Sequence, residues 1–282
     1  MPVAMTLSRA GALGRGQDSL ASRVEAELLL CHLLGCTRAE LYLDSGNSVD
    51  GSDLAIFDDM LQRRRSGEPI QYITGVQAFR KLELRVGPGV MVPRPETELL
   101  VEQCLILLAE VRNPRVIDLG TGSGAIALSA ATERPGSRVW ATDISEDALS
   151  WARTNLLAAG ARNLELHSGD LFSPLPKELM GTIDLVVSNP PYLSEKELGE
   201  APEDVRDHEP AVALSCGREG FEVSARIIDE AGAWMASGGW LVLEISPAQE
   251  RAVTEMFSRD FEEVDIVNDL AGSARIARGR RR

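Results

Sequence analysis

From Arg115 onward the chain alternates short apolar runs with segments of helical spacing, and that alternation leaves few folds open. Residues 116–119, 138–142, 164–167, 183–188 and 240–245 have strand length and composition. Between and after them, helices are expected from Ala125, over 146–159, over about 221–235 and over 249–257, with two last strands near 264–267 and 274–277. Repeated strand-helix units connect parallel strands, so the expected fold is α/β: a mostly parallel sheet with helices on both faces. Leu185-Val-Val187 shows no polar alternation, which suits a strand covered on both sides.

That last strand stops at Asn189-Pro-Pro-Tyr192, because Pro190 and Pro191 cannot extend a hydrogen-bond ladder. The break leaves a carboxamide on Asn189, the carbonyl of Pro190 and the ring of Tyr192 at a strand's carboxyl end. A carboxamide oxygen and a backbone carbonyl side by side can accept both hydrogens of a planar –NH2 group, and an aromatic ring can cover its plane. The motif therefore suits gripping an amide or aromatic amine nitrogen. A proline-stopped strand with a capping Asn would use the same residues.

The first strand runs into Asp118-Leu-Gly-Thr-Gly-Ser-Gly124. Gly120, Gly122 and Gly124 allow a tight turn and close approach of a ligand, with Thr121 and Ser123 between them and a helix N-terminus following. With Ala125 the stretch also satisfies the dinucleotide pattern G-x-G-x-x-G/A. Asp143 closes the second strand, where a carboxylate can accept both ribose hydroxyls, and Ile144 follows it. Asp118 at the loop's mouth suits a cationic amino group better than a pyrophosphate. After the third strand, Asp170 can accept from an adenine amine while Leu171 and Phe172 offer an apolar edge. Ribose, ammonium and carboxylate together describe S-adenosylmethionine. Helix capping or a solvated turn is the plainer use of Asp143 and Asp170.

The N-terminal part reads differently. Leu20, Val24, Leu28, Leu29 and Leu33 recur at helical spacing over 18–34, with Gly35 as the stop. Thr37 and Glu40 form a capping box, and 53–65 reads as a third helix ending at Ser66-Gly67. Leu82, Leu84 and Val86 alternate with charged residues before a turn at Gly87-Pro-Gly89, which indicates a β-hairpin. The expected organisation is a small all-helical domain at 1–74, a hairpin linker at 75–95 and a catalytic domain at 96–282. The two prolines around Arg94 stiffen the approach to a helix over 98–111, and leave Arg94 either solvated or aimed at a site.

Charge is unevenly spread. Up to Arg85 ten Lys and Arg stand against eleven Asp and Glu, and beyond it 19 stand against 32, so most of the net −14 lies in the larger domain. An acidic catalytic part argues against direct nucleic-acid binding. Cys31, Cys36, Cys104 and Cys216, with three histidines, offer no metal-ligand spacing, so no metal is expected. No apolar run has membrane-spanning length and no leader pattern opens the chain, which suggests a cytoplasmic protein with reduced thiols. The basic end from Arg278 to Arg282 is read as a solvated tail.

Taken together, the motifs resemble a known family. Asp118 to Gly124 is similar to motif I of class I S-adenosylmethionine-dependent methyltransferases, and Asn189 to Tyr192 to the N-P-P-Y motif of those that methylate planar nitrogens. Val92-Pro-Arg-Pro-Glu-Thr-Glu98, Glu68-Pro-Ile-Gln-Tyr-Ile-Thr-Gly75 and Glu25-Ala-Glu-Leu-Leu-Leu30 narrow the resemblance to the peptide-chain release factor glutamine methyltransferases, the PrmC/HemK family. The resemblance covers nearly the whole chain. It implies a Rossmann-like seven-stranded sheet, S-adenosylmethionine as cofactor, and as protein partner the class I release factors, methylated on the glutamine of a Gly-Gly-Gln loop. It carries cofactor contacts onto Gly120 to Gly124, Asp143, Leu171 and Asn189, and substrate contacts onto Asn189, Pro190, Pro191 and Tyr192. Leu171 stands where some relatives have an aromatic residue, and Ser273-Ala-Arg275 lacks the acidic or amide residue many place before that arginine. Three rivals fit parts of the pattern: an adenine-N6 methyltransferase, a nicotinamide dehydrogenase, and a non-catalytic S-adenosylmethionine-binding module.

Overall fold

In a computed structural model, which describes residues 6–20 and 22–282, the chain divides into two units. One runs up to Gly75 and includes Glu203–His208; the other comprises Val76–Pro202 and Glu209–Arg282. The short insertion of 203–208 into the first unit was not legible in the sequence.

The first unit is helical apart from two paired two-residue strands, β1 (Leu7–Ser8) and β2 (Ser48–Val49). Its helices are α1 (Arg9–Ser19), α2 (Arg23–Leu34), α3 (Arg38–Leu43), α4 (Gly51–Arg65) and α5 (Ile70–Thr74). Ser8, Ser22, Thr37 and Asp50 each accept a backbone N–H at a helix start, and Thr37 with Glu40 forms the expected capping box. The helix expected over 18–34 is thus two, because Ser22 caps a new one at Arg23. Helix α1 escaped notice because Gly11, Gly14 and Gly16 dilute its pattern; Gly16 is needed, since a Cβ there would stand 2.9 Å from Phe57. Leu29 and Leu30 fill the core with Ala26, Leu54 and Phe57, whereas Val24 and Leu28 are about half exposed. The buried Glu27 carboxylate is met by Arg23 at 2.9 Å and by Arg38 and Tyr42.

The second unit opens with a hairpin of β3 (Val76–Phe79) and β4 (Leu82–Arg85). Its turn is at Arg80 and Lys81, with Arg80 at φ +50°, not at Gly87-Pro-Gly89. Those glycines serve packing instead: a Cβ on Gly87 would stand 2.6 Å from Trp151, and one on Gly89 2.9 Å from Asp147. Helix α6 (Pro95–Leu107) begins three residues earlier than expected, with Pro95 in its first turn.

Then come β5 (Arg115–Leu119), α7 (Ala125–Glu133), β6 (Arg138–Asp143), α8 (Glu146–Ala159), β7 (Leu164–Ser168) and β8 (Ile183–Ser188). Short helices α9 (Glu195–Glu200), α10 (Glu203–Arg206, in the first unit) and α11 (Ala211–Leu214) precede α12 (Glu222–Trp234), β9 (Met235–Glu244), α13 (Glu250–Asp260), β10 (Phe261–Asn268) and β11 (Ala274–Arg281). The seven strands stand in the order β10-β11-β9-β8-β5-β6-β7, and only β11 runs against the rest. This is the expected α/β, mostly parallel sheet. Alternate residues of each central strand feed two cores: Leu185 and Val187 pack with α6 and α7 residues on one face, and Val186 with α12 and α13 residues on the other. The basic C-terminal run is not a solvated tail. Its backbone continues β11, Gly279 packs where a Cβ would meet Phe257 at 2.6 Å, and Arg278 and Arg280 pair with Asp265 and Glu263.

Candidate functional site

The chain reverses its direction of travel across the sheet between β5 and β8: β6 and β7 lie on one side, β9 on the other. Such a switch point opens a crevice at the strands' carboxyl ends. Ser188 Oγ donates to the Leu119 carbonyl at 2.7 Å and ties the two strand ends together. A cavity of about 290 Å³ lies there.

One wall is the glycine loop, Gly120, Thr121, Gly122 and Ser123. Gly120, Gly122 and Gly124 have φ of +69°, +57° and +86°, which lets the loop turn sharply, with Gly124 capping α7. The N–H groups of Gly120 and Thr121 both donate to the Thr142 carbonyl at 2.9 Å, and that of Gly122 to Asp143 Oδ2 at 2.8 Å. Asn155, on α8, donates to the Ser123 carbonyl at 2.9 Å and bonds Arg85 on β4 in both directions.

Asp118 stands elsewhere than expected. It is fully buried beneath the loop and does not line the cavity. Its Oδ2 accepts from Thr121 Oγ1 at 2.6 Å and Ala127 N–H at 3.1 Å, while Oδ1 has no hydrogen-bond partner among the described residues. Burial pushes its pKa up to about 7 against the pull of those two bonds.

Asp143, Ile144, Asp170 and Leu171 line the next wall. Each Asp143 oxygen already accepts one backbone N–H, from Gly122 and from Ser145, leaving further lone pairs. Asp170 pairs with Arg226 at 2.7 Å, a partner the sequence did not suggest. Leu171 is held at φ +48°. Phe172 offers the cavity no edge: it is 1% exposed and stacks on Trp234 with centroids 5.4 Å apart.

Asn189, Pro190 and Pro191 complete the lining, and Tyr192, next in the chain, is not part of it. Burial, with Glu244 nearby, pushes the Tyr192 phenol up to about 12. The chain after Tyr192 is held by a parallel bridge of Leu193 to Ser215 and by Gly220, where a Cβ would meet the Tyr192 carbonyl at 2.4 Å. Asn189 Nδ2 donates to Thr97 Oγ1 at 3.1 Å, and Thr97 Oγ1 donates to Glu244 Oε2 at 2.7 Å. Neither Thr97 nor Glu244 was expected here. Arg94, left open between solvent and site, donates to Glu209 at 2.6 Å, and Glu209 also accepts the Val92 N–H at 3.3 Å. In the final hairpin Asp269 pairs with Arg275 at 3.0 Å.

A glycine loop without a lysine or arginine, facing the Asp143 carboxylate, suits a ribose and a cation better than a pyrophosphate. S-adenosylmethionine fits this donor set. Gly120 lets its backbone approach a ligand, since a Cβ there would meet nothing within 4 Å, and Oδ1 of Asp118 is an unpartnered acceptor behind the loop. Fold and site together define a class I S-adenosylmethionine-dependent methyltransferase. The ribosomal protein L11 methylase of Lactobacillus delbrueckii subsp. bulgaricus has the same fold, with a TM-score of 0.51 at 21% identity over 71% of this chain and 85% of that one. Residues 11–75 match the PrmC N-terminal domain model and residues 95–202 the methyltransferase small domain model. The release factor glutamine methyltransferase of Streptomyces coelicolor is 40% identical over 92% of this chain and 91% of its own length. That of Escherichia coli is 37% identical over 95% and 96%. The chain belongs to the release factor glutamine methyltransferase family.

Proposed function

We propose that this chain transfers the methyl group of S-adenosylmethionine to the side-chain amide nitrogen of the glutamine in the Gly-Gly-Gln loop of class I peptide-chain release factors. The observation that carries this reading is the place of Asn189 and Pro190: both line the cavity at the end of β8, beside the strand that leads into the glycine loop. Bound there, S-adenosylmethionine supplies an electrophilic methyl group. The protein's task is to present a poor nucleophile, because an amide lone pair is delocalised into its carbonyl.

Asn189 Oδ1 and the Pro190 carbonyl accept the two N–H bonds of the glutamine amide and hold its nitrogen toward the methyl. Those bonds strengthen as positive charge develops on nitrogen, so they stabilise the transition state more than the ground state. Pro191 from the wall and Tyr192 from beside it exclude water on the substrate side. On the cofactor side, Gly120 to Gly124, Asp143, Ile144, Asp170 and Leu171 hold the ribose and adenine, with Asp118 acting through the loop it supports. Most of the acceleration comes from positioning, and no side chain is assigned as a base.

The helical first unit docks the protein substrate in this reading, because one glutamine side chain gives a pocket little to discriminate by. Among the described residues no helix is long and apolar enough to cross a membrane, and the reaction belongs in the cytoplasm, where translation runs.

The test is methyl incorporation into a purified class I release factor, its Gly-Gly-Gln→Gly-Gly-Ala variant and duplex DNA, with wild-type enzyme and Asn189→Ala. Label is expected in the intact factor alone. Asn189→Ala should lower kcat by about 100-fold or more, the scale of losing one transition-state hydrogen bond, with cofactor affinity nearly intact. Label in DNA would replace this reading with adenine methylation.

A further inference from the structure

A carboxamide has two ends of similar shape and opposite function, and only the oxygen end of Asn189 can accept an N–H from a substrate. Something must decide which end faces the cavity. The neighbours of Asn189 do so through a chain of hydrogen bonds that reaches a buried carboxylate. Thr97, in the first turn of α6, is 3% exposed, and Glu244, the last residue of β9, is 1% exposed. As a carboxylate, Glu244 can only accept, so the single hydroxyl hydrogen of Thr97 must go to it, over 2.7 Å. Oγ1 then has only lone pairs left for Asn189, and takes the Nδ2–H at 3.1 Å. With its nitrogen end engaged, the carboxamide has its oxygen left to receive hydrogens.

We propose that Thr97 and Glu244 are positioning residues, a relay that fixes the Asn189 carboxamide with its oxygen toward the nitrogen to be methylated. The inference rests on the methyl transfer proposed above. Three elements meet in the relay, one helix (α6) and two strands (β9 and the end of β8), so the Asn189 side chain is tied to two neighbouring elements at once. The acceptor of the substrate's N–H is set before the substrate arrives, and no reorganisation is needed in the transition state.

The relay has a direction, and protonation of Glu244 removes it. A neutral Glu244 can donate to Thr97 Oγ1, which frees the hydroxyl hydrogen to turn toward Asn189 and favours the flipped amide. The groups around Glu244 are Thr97, Glu96 and Arg94 at the start of α6, Arg275 on β11 and Tyr192 after β8. Burial raises the Glu244 pKa to about 7, against the pull of the Thr97 hydrogen bond and Arg275. The wild-type kcat should therefore fall as pH drops below about 7.

The experiment compares wild type, Thr97→Val, Thr97→Ser and Glu244→Gln in kcat and KM for a class I release factor between pH 6 and 9. Calorimetry with S-adenosylhomocysteine measures cofactor-site affinity on each. Thr97→Val keeps the shape and loses the hydroxyl; its kcat should fall by about 30-fold or more, with KM and cofactor affinity within about twofold. Thr97→Ser restores the hydroxyl and should recover most of the rate. Glu244→Gln should lose the decline of kcat below pH 7. A Thr97→Val enzyme as fast as wild type would overturn the relay, as would equal damage in Thr97→Val and Thr97→Ser, or a loss of cofactor affinity that matches the loss of rate. A wild-type enzyme that puts no methyl on the release factor overturns the function itself, and the relay with it; a wild-type enzyme that does, beside an unimpaired Thr97→Val, overturns the relay alone.

Discussion

The Asp118 carboxyl is fully buried, and its two oxygens are treated differently. Oδ2 is tied to the hydroxyl of Thr121 and the N–H of Ala127, while Oδ1 has no partner among the described residues. Burying a charge this way disfavours the ionised form, and the carboxyl pKa is pushed to about 7. The consequence for stability has a definite sign. A carboxyl whose pKa is higher folded than unfolded contributes stability in full below the unfolded value, about 4, and loses it as pH rises through 7. Asp118→Asn keeps one acceptor oxygen for Thr121 and Ala127 and cannot ionise. Relative to wild type it should therefore be most favoured at pH 8, and the gap should close as pH falls to 5. Urea unfolding of both proteins without cofactor, at four pH values, measures this. Glu244 has the same sign but is present in both proteins, so it cancels in the difference. A gap that does not change with pH would remove Asp118 as the titrating group.

At the scale of elements, the glycine loop is shaped by what lies behind it as much as by its own glycines. Helix α8 presents Asn155, 2% exposed, which accepts the Arg85 N–H at 2.7 Å and donates to the carbonyls of Arg85 and Ser123. One amide thus ties the β4 strand end to the cofactor loop. Asn155→Ala leaves three backbone groups, two of them part-buried and that of Ser123 buried, without this partner, and should cost about 2–4 kcal/mol of stability. It should also weaken S-adenosylhomocysteine binding by roughly tenfold, because the Ser123 carbonyl loses its anchor. Urea melts and calorimetry read the two effects separately, and unchanged affinity would show the loop to be set by its glycines alone. None of this could be read from the sequence, since the partners are 70 and 32 residues apart. The central strands could be read, because a run buried on both faces is apolar at every position. So could the glycine loop and Asn189-Pro-Pro-Tyr192, whose local geometry is written in their own residues. The hairpin turn could not: Arg80 and Lys81 carry no turn signal, and the glycines that do carry one were needed for Trp151 and Asp147. Thr97 and Glu244 failed for the same reason as Asn155, being 147 positions apart in the chain.

For the molecule as a whole, the net charge of −14 is the property most exposed to a partner. The arginines that close the chain are spoken for within the fold. Arg278 and Arg280 are paired with Asp265 and Glu263, and Arg282 donates to the carbonyls of Ser258 and Arg259. A field of one sign speeds encounter with a partner of the other and slows it with nucleic acid, and salt screens it. The S-adenosylmethionine cavity is different: its lining offers hydrogen bonds and apolar contact at close range, which screening hardly reaches. Raising the ionic strength from about 10 mM to about 100 mM shortens the screening length from roughly 30 Å to roughly 10 Å. Over that range kcat/KM for a release factor should fall by about tenfold, mostly through KM, while affinity for S-adenosylhomocysteine changes by less than about twofold. Steady-state rates and calorimetry in the same buffers give both numbers. If kcat/KM holds steady across the range, the acidic surface does not guide the protein substrate, and recognition rests on short-range contacts; if it rises, the surface repels the factor and docking must overcome that repulsion.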